Sequence, residues 1–167
     1  STGTEDTKTL FMPIGAAGSG KSTWREAYVR EYDSNFAVHS WDDLRLEWYC
    51  STDYTKAFEM QCADKTFMSR VDAHFRDLVQ SGIKTIVVDN TNCTVKRRRS
   101  FIDTAKRAGY VVIAYTFPIT QQKLLERQSS RTDKFVPVPA VLSQWHSIQQ
   151  PFFGEVDDVV VWMGNID

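Results

Sequence analysis

The stretch TLFMPIGAAGSGKSTW, residues 9–24, decides the fold. Thr9–Ile14 is a short apolar run stopped by glycine, which reads as a buried strand. Gly15–Ser22, GAAGSGKS, then satisfies the spacing G-x-x-x-x-G-K-[ST], and Ser19–Glu31 reads as the helix that it opens. Glycines at 15, 18 and 20 let several backbone N–H groups turn inward around phosphate oxygens, and the helix N-terminus adds a favourable dipole. Lys21 would neutralise the β- and γ-phosphates, and Ser22 would ligate Mg²⁺ with Thr23 beside it. Gly15, Gly18, Ser19, Gly20, Lys21, Ser22 and Thr23 are therefore the expected donor-binding set. Such a loop reads phosphates rather than bases, so ATP and GTP both stay open.

Outward from this loop, strand and helix patterns alternate. Phe36–His39 reads as a strand and Trp41–Tyr49 as a helix. From Thr55 to Gln80, Met60, Ala63, Phe67, Val71, Phe75 and Leu78 recur at steps of three and four, the signature of one long amphipathic helix ending at Gly82. Its apolar face is core, and His74 beside it is a packed or surface residue. Ile83–Asp89 (IKTIVVD) is a β-branched run expected as a buried central strand. A helix over Val95–Ala108 closed by Gly109, a strand over Tyr110–Phe117, helices over Thr120–Ser130 and Pro139–Gln149, and a strand over Val156–Trp162 complete the series. The expected class is α/β: a P-loop NTPase with a parallel sheet, helices on both faces and a helical lid.

At 167 residues, 42% hydrophobic and 25% charged, the chain suits one globular domain. Residues 1–9 are polar and expected to be disordered, with the domain over 10–167. Apolar runs such as Val159–Met163 are far shorter than the roughly 20 residues that span a bilayer, and no secretory signal is present, so a cytosolic address is expected. Cys50, Cys62 and Cys93 are an odd number at irregular spacing, which argues against disulfides or zinc pairs and for small buried or half-buried residues. The formal charge of −1 means that a polynucleotide would have to meet a local basic patch. Lys96–Arg99 and the run from Arg127 to Lys134 are the candidates, or else they are solvated helix faces.

Phosphoryl transfer needs a group that accepts the nucleophile's proton and cations around the transferring phosphoryl. Asp42 and Asp43 follow directly on the second strand, and one of them can equally cap the next helix. Arg45, one turn on, faces the same way as Asp42 and could hold an acceptor phosphate. Asp89, at the end of the third strand, either holds magnesium through water or caps a turn. Arg127 and Arg131, four apart, present two guanidinium groups to one target, and QSSRTDKF (128–135) reads as a lid. Arg98 shares the face of Ile102 and Ala105 and reads as a packed structural arginine, whereas Lys96, Arg97 and Arg99 point elsewhere.

GSGKSTW, WDDLR, DNTN, LLERQSSR and VPVP, in this order, resemble the kinase domain of the T-even bacteriophage 5′-polynucleotide kinase and related end-healing kinases, over roughly Leu10 to Trp162. The resemblance implies transfer of the γ-phosphate of an NTP to the 5′-hydroxyl of RNA or DNA in nucleic-acid repair. By the same likeness Asp42 is the general base, supported by Asp43, and Arg45 meets the acceptor phosphate. Thr91 and Asn92 match a substrate-side motif, and Arg127 and Arg131 match lid arginines on the donor, with Lys21 and Arg131 in catalysis. The family couples such kinases to phosphatase or ligase modules. This chain departs from it in having Trp41 before the Asp pair and Asn90 where the phage enzyme is acidic. Trp41 can stack on a nucleobase or pack in the core. The rival readings are a small-molecule or sugar-nucleotide P-loop kinase, and a binding module switched by NTP.

Overall fold

The computed structural model describes residues 7–49, 52–132 and 136–166. In chain order they form β1 (Thr9–Ile14), α1 (Lys21–Trp24), a π-helical segment (Arg25–Val29) continuous with α2 (Arg30–Tyr32), β2 (Ala37–His39) and α3 (Trp41–Trp48). There follow α4 (Tyr54–Ala63), α5 (Phe67–Gln80), β3 (Thr85–Val88), α6 (Val95–Arg107), β4 (Val111–Thr116), α7 (Gln121–Ser130), α8 (Val138–Ser147) and β5 (Asp158–Val161). The strands make one parallel sheet in the order β2-β3-β1-β4-β5, with Thr9 opposite both Thr85 and Val111. From central β1 the chain builds β2 and β3 on one side, then crosses to β4 and β5 on the other. The loops after β1, β2 and β3 therefore meet at the carboxyl edge, where open parallel sheets bind ligands.

Alternation along β1 divides the core between two faces. Leu10, Met12 and Ile14 join Ile86, Val88 and Val112 beneath Phe75, Val79, Phe101 and Ile102 of α5 and α6. Phe11, with Val87 and Tyr115, packs on the other side against Trp24 and Val29. Each such large side chain, fully buried, contributes about 1.5–3 kcal/mol. No helix among the described residues is long and apolar enough to cross a membrane.

The single helix expected over Thr55–Gln80 is two helices. Asp64 takes extended dihedrals after α4, and its carboxylate accepts from Thr66 N (2.9 Å) and Thr66 Oγ1 (2.7 Å), which closes a turn before α5 starts at Phe67. Phe67, Val71 and Phe75 continue the apolar stripe into the core, whereas Met60 stays exposed. The polar terminus also ends sooner than expected. Lys8 Nζ donates to Ala108 O, its carbonyl accepts from Val111 N, and Thr9 is in β1. Residues 1–6, Cys50 and 133–135 of the expected lid lie outside the described residues. Cys93 is buried as expected, but Cys62 is exposed on α4.

His39 and His74 form a stacked pair under the site. Their rings lie 5.1 Å apart with Nδ1 atoms at 2.9 Å, and His39 is fully buried against the edges of Phe75 and Phe101. Burial first, and then the His74 charge, push the His39 pKa down to about 4 from an ordinary 6.5. The folded protein thus resists a proton that the unfolded chain accepts. The stability from this site is present above pH 6.5 and is lost as pH falls towards 4. The full loss is about 3 kcal/mol. Urea unfolding at pH 7.5 and 4.5 should register it, and His39→Gln should flatten the profile; an equally steep profile in the variant contradicts the assignment.

Arg98 is structural, as its helix face implied. It is fully buried, with Nε and Nη2 on the two carboxylate oxygens of Glu155 (3.0 and 3.1 Å) and Nη1 on Asn92 O and Cys93 O. This joins α6 to the loop before β5 and to the chain leaving β3.

Candidate active site

The loop after β1 turns where glycine allows it. Gly18 and Gly20 have φ of +87° and +102°, and Gly20 leads directly into α1. Gly15 N donates to Thr91 O, and both N and Oγ of Ser19 donate to Ala16 O. Gly15 and Ser19 have their polar groups engaged inside the fold and shape the loop, while Gly18, Gly20, Lys21, Ser22 and Thr23 line the cavity. Lys21 Nζ rests on Gly15 O (2.7 Å) and Asn90 O (3.3 Å).

Four side chains that sequence reading did not assign to this task brace the loop from outside. Gln144 accepts from Ala17 N, Gln128 donates to Ala17 O, and Arg127 donates to Gly18 O. Buried Asn165, from beyond β5, donates to Ser19 O (2.7 Å) and Pro118 O, and accepts from Arg127 Nη2 (2.7 Å). No local signal announces a contact between residues 19 and 165. Asn165→Ala should weaken nucleotide binding about tenfold, roughly 1–2 kcal/mol, by freeing the loop and one anchor of Arg127. Equilibrium titration checks this, and an unchanged affinity would show that the brace is dispensable.

A cavity of about 1350 Å³ opens from this loop. Asp42 lines it from the first turn of α3, with Oδ1 accepting from Arg45 Nη1 (2.8 Å) and the Tyr54 hydroxyl (3.4 Å). Neither Asp supplies the side-chain cap anticipated for this helix: Ser40 Oγ accepts from Asp43 N. Asn90 Oδ1 receives Trp41 N (3.0 Å), one of the donors that a helix N-terminus leaves open, which gives the asparagine a local role. Trp41 packs edge-to-face on Phe67.

Arg45 is buried, held by Asp42 and by Gln61 Oε1 (2.5 Å), and still borders the cavity. Asn92 borders the same cavity. It is buried at φ +50°, with its amide nitrogen on Pro13 O, Val88 O and Asn90 O, so it ties the ends of β1 and β3 together. Thr91 lines the cavity and supplies the carbonyl that holds Gly15.

Asp89 also faces the cavity, and its carboxylate is paired with Arg25 Nη1. Sequence reading did not single out Arg25, although its place three residues after Ser22 puts it one helical turn on. Arg127 and Arg131 both reach the cavity, but Arg131 stands just past α7 in extended conformation rather than on the same helix. Of the α6 cations, Lys96 and Arg97 border this cavity, whereas Arg99 lines a separate recess with Asp103 and Phe152.

The residues suit magnesium nucleotide. Among the described residues no three His, Cys, Asp or Glu side chains gather into a self-sufficient metal centre. Ser22 is exposed to the cavity at a helix N-terminus, and a hydroxyl, a carboxylate, phosphate oxygens and water are the donors that Mg²⁺ prefers.

Comparisons with known proteins agree with this architecture. The chain is similar in fold to a gluconokinase from Sinorhizobium meliloti 1021 (TM-score 0.58, 20% identity, 92% of this chain and 81% of that one). A fungal RNA kinase matches with a TM-score of 0.57 and 15% identity over 93% of this chain and 74% of its own. The AvrRxo1-ORF1:-ORF2 complex with ATP matches with a TM-score of 0.62 and 18% identity, over 85% of this chain and only 47% of that one. A family model described as AAA domain matches residues 10–154. Phosphate loop, parallel sheet and this match together place the chain in that family, in a P-loop fold shared with kinases.

Proposed function

We propose that the chain transfers the γ-phosphoryl group of ATP or GTP to the 5′-hydroxyl end of RNA or DNA, in end healing. The observation that carries the reading is the meeting of the glycine loop and an arginine-held Asp42 in one cavity, with Lys96 and Arg97 at its border. A volume of about 1350 Å³ exceeds the roughly 300–1,000 Å³ of a pocket for one small ligand. It suits a nucleotide donor together with a second, larger substrate.

In this reading Asp42 takes the proton of the 5′-hydroxyl while its oxygen attacks the γ-phosphorus. The bond to the β-phosphate oxygen breaks, and a nucleoside diphosphate leaves. Lys21, Arg127 and Arg131 neutralise the donor phosphates. Arg45 and Thr91 face the acceptor end, and Lys96 and Arg97 meet its backbone. Ser22 would hold Mg²⁺ directly, with Asp89 acting through water beside Arg25; when bound, the ion neutralises charge on the β- and γ-phosphates.

The test is an acceptor panel with labelled γ-phosphate donor: RNA and DNA oligonucleotides with free 5′-hydroxyls, beside sugars and gluconate. Label on an oligonucleotide supports the reading. Label confined to a sugar or gluconate would replace it with a small-molecule kinase.

A further inference from the structure

We propose that Phe58 is the platform on which the 5′-terminal nucleobase of the acceptor stacks; this rests on the polynucleotide reading above. Phe58 and Met68 are 46% and 48% exposed, and both line the cavity that contains Asp42. Two large apolar side chains are thus open to the substrate space. They suit the flat, sequence-independent face of a base.

The ring is held in place. The Arg45 guanidinium carbon lies 5.2 Å from the centre of Phe58, and 5.7 and 5.9 Å from Tyr54 and Phe67, so a cation covers one side of Phe58 while much of the ring stays open. The same guanidinium holds Asp42 (2.8 Å) and Gln61. One arginine thus links the carboxylate that would meet the 5′-oxygen to the ring that would meet the base of the same nucleotide. Lys96 and Arg97, exposed on α6 and bordering the same cavity, supply the positive charge for the following phosphodiester. Trp41, the aromatic residue that the sequence offered for stacking, borders the cavity too and packs edge-to-face on Phe67.

The test compares KM for two 5′-hydroxyl oligonucleotides, one intact and one whose terminal residue is an abasic tetrahydrofuran. The wild-type protein should show a KM roughly five- to one-hundred-fold higher for the abasic acceptor. In Phe58→Ala the two values should converge, and Phe58→Trp should restore the difference, which a purely structural role for the ring would not produce. Label on both acceptors at equal KM in the wild type, or full discrimination retained in Phe58→Ala, would overturn the platform alone. Label on neither would overturn the polynucleotide reading and the platform with it.

Discussion

Replacing Asp42 by alanine or asparagine is expected to lower phosphoryl transfer by about 10²- to 10⁴-fold, with nucleotide affinity changed little. The two variants separate two roles. Alanine removes both the proton acceptor and the partner of Arg45 Nη1, whereas asparagine keeps an oxygen that can accept from Arg45. If orienting Arg45 were the whole contribution, asparagine would retain most activity. If Asp42 accepts the proton, both variants fail alike. Single-turnover rates with saturating donor, beside a nucleotide titration, make the distinction. A protein that binds nucleotide only as a switch would be indifferent to either change.

Glu155→Ala should destabilise the fold by about 3–5 kcal/mol, because it leaves a fully buried guanidinium without its carboxylate. For a chain of this length that corresponds to a fall of roughly 6–20 °C in melting temperature. The effect reaches the site indirectly, since Arg98 Nη1 also holds the carbonyls of Asn92 and Cys93 at the end of β3. Replacing both partners by apolar residues of similar size, Arg98→Met with Glu155→Leu, should recover much of the loss. A melting temperature unchanged in Glu155→Ala would contradict the account of this pair.

The sequence made the sheet and the phosphate loop legible because their signals are local. A β-branched run such as Ile86–Val88 can hide only in a strand buried on both faces, and the G-x-x-x-x-G-K-S spacing needs its flanking strand and helix. Where local signals compete, reading by period fails. Met60 and Ala63 continue the stripe of Phe67, Val71 and Phe75 in register, yet the turn that Asp64 closes onto Thr66 breaks the helix between them. At the candidate site, residue type and spacing single out Lys21, Asp42, Arg127 and Arg131, and all four border one cavity. Asn165 and Gln144 were invisible because contacts across 146 and 127 positions leave no mark on their neighbours. Asn92, which borders the cavity as well, has its amide nitrogen on three carbonyls at the strand ends, a bracing task that its motif did not announce.

Transfer of labelled γ-phosphate, with magnesium, to an oligonucleotide bearing a 5′-hydroxyl, beside the same oligonucleotide already 5′-phosphorylated, tests the central claim most directly. The account predicts label on the first and none on the second. Label on neither, with nucleotide binding intact, would contradict it.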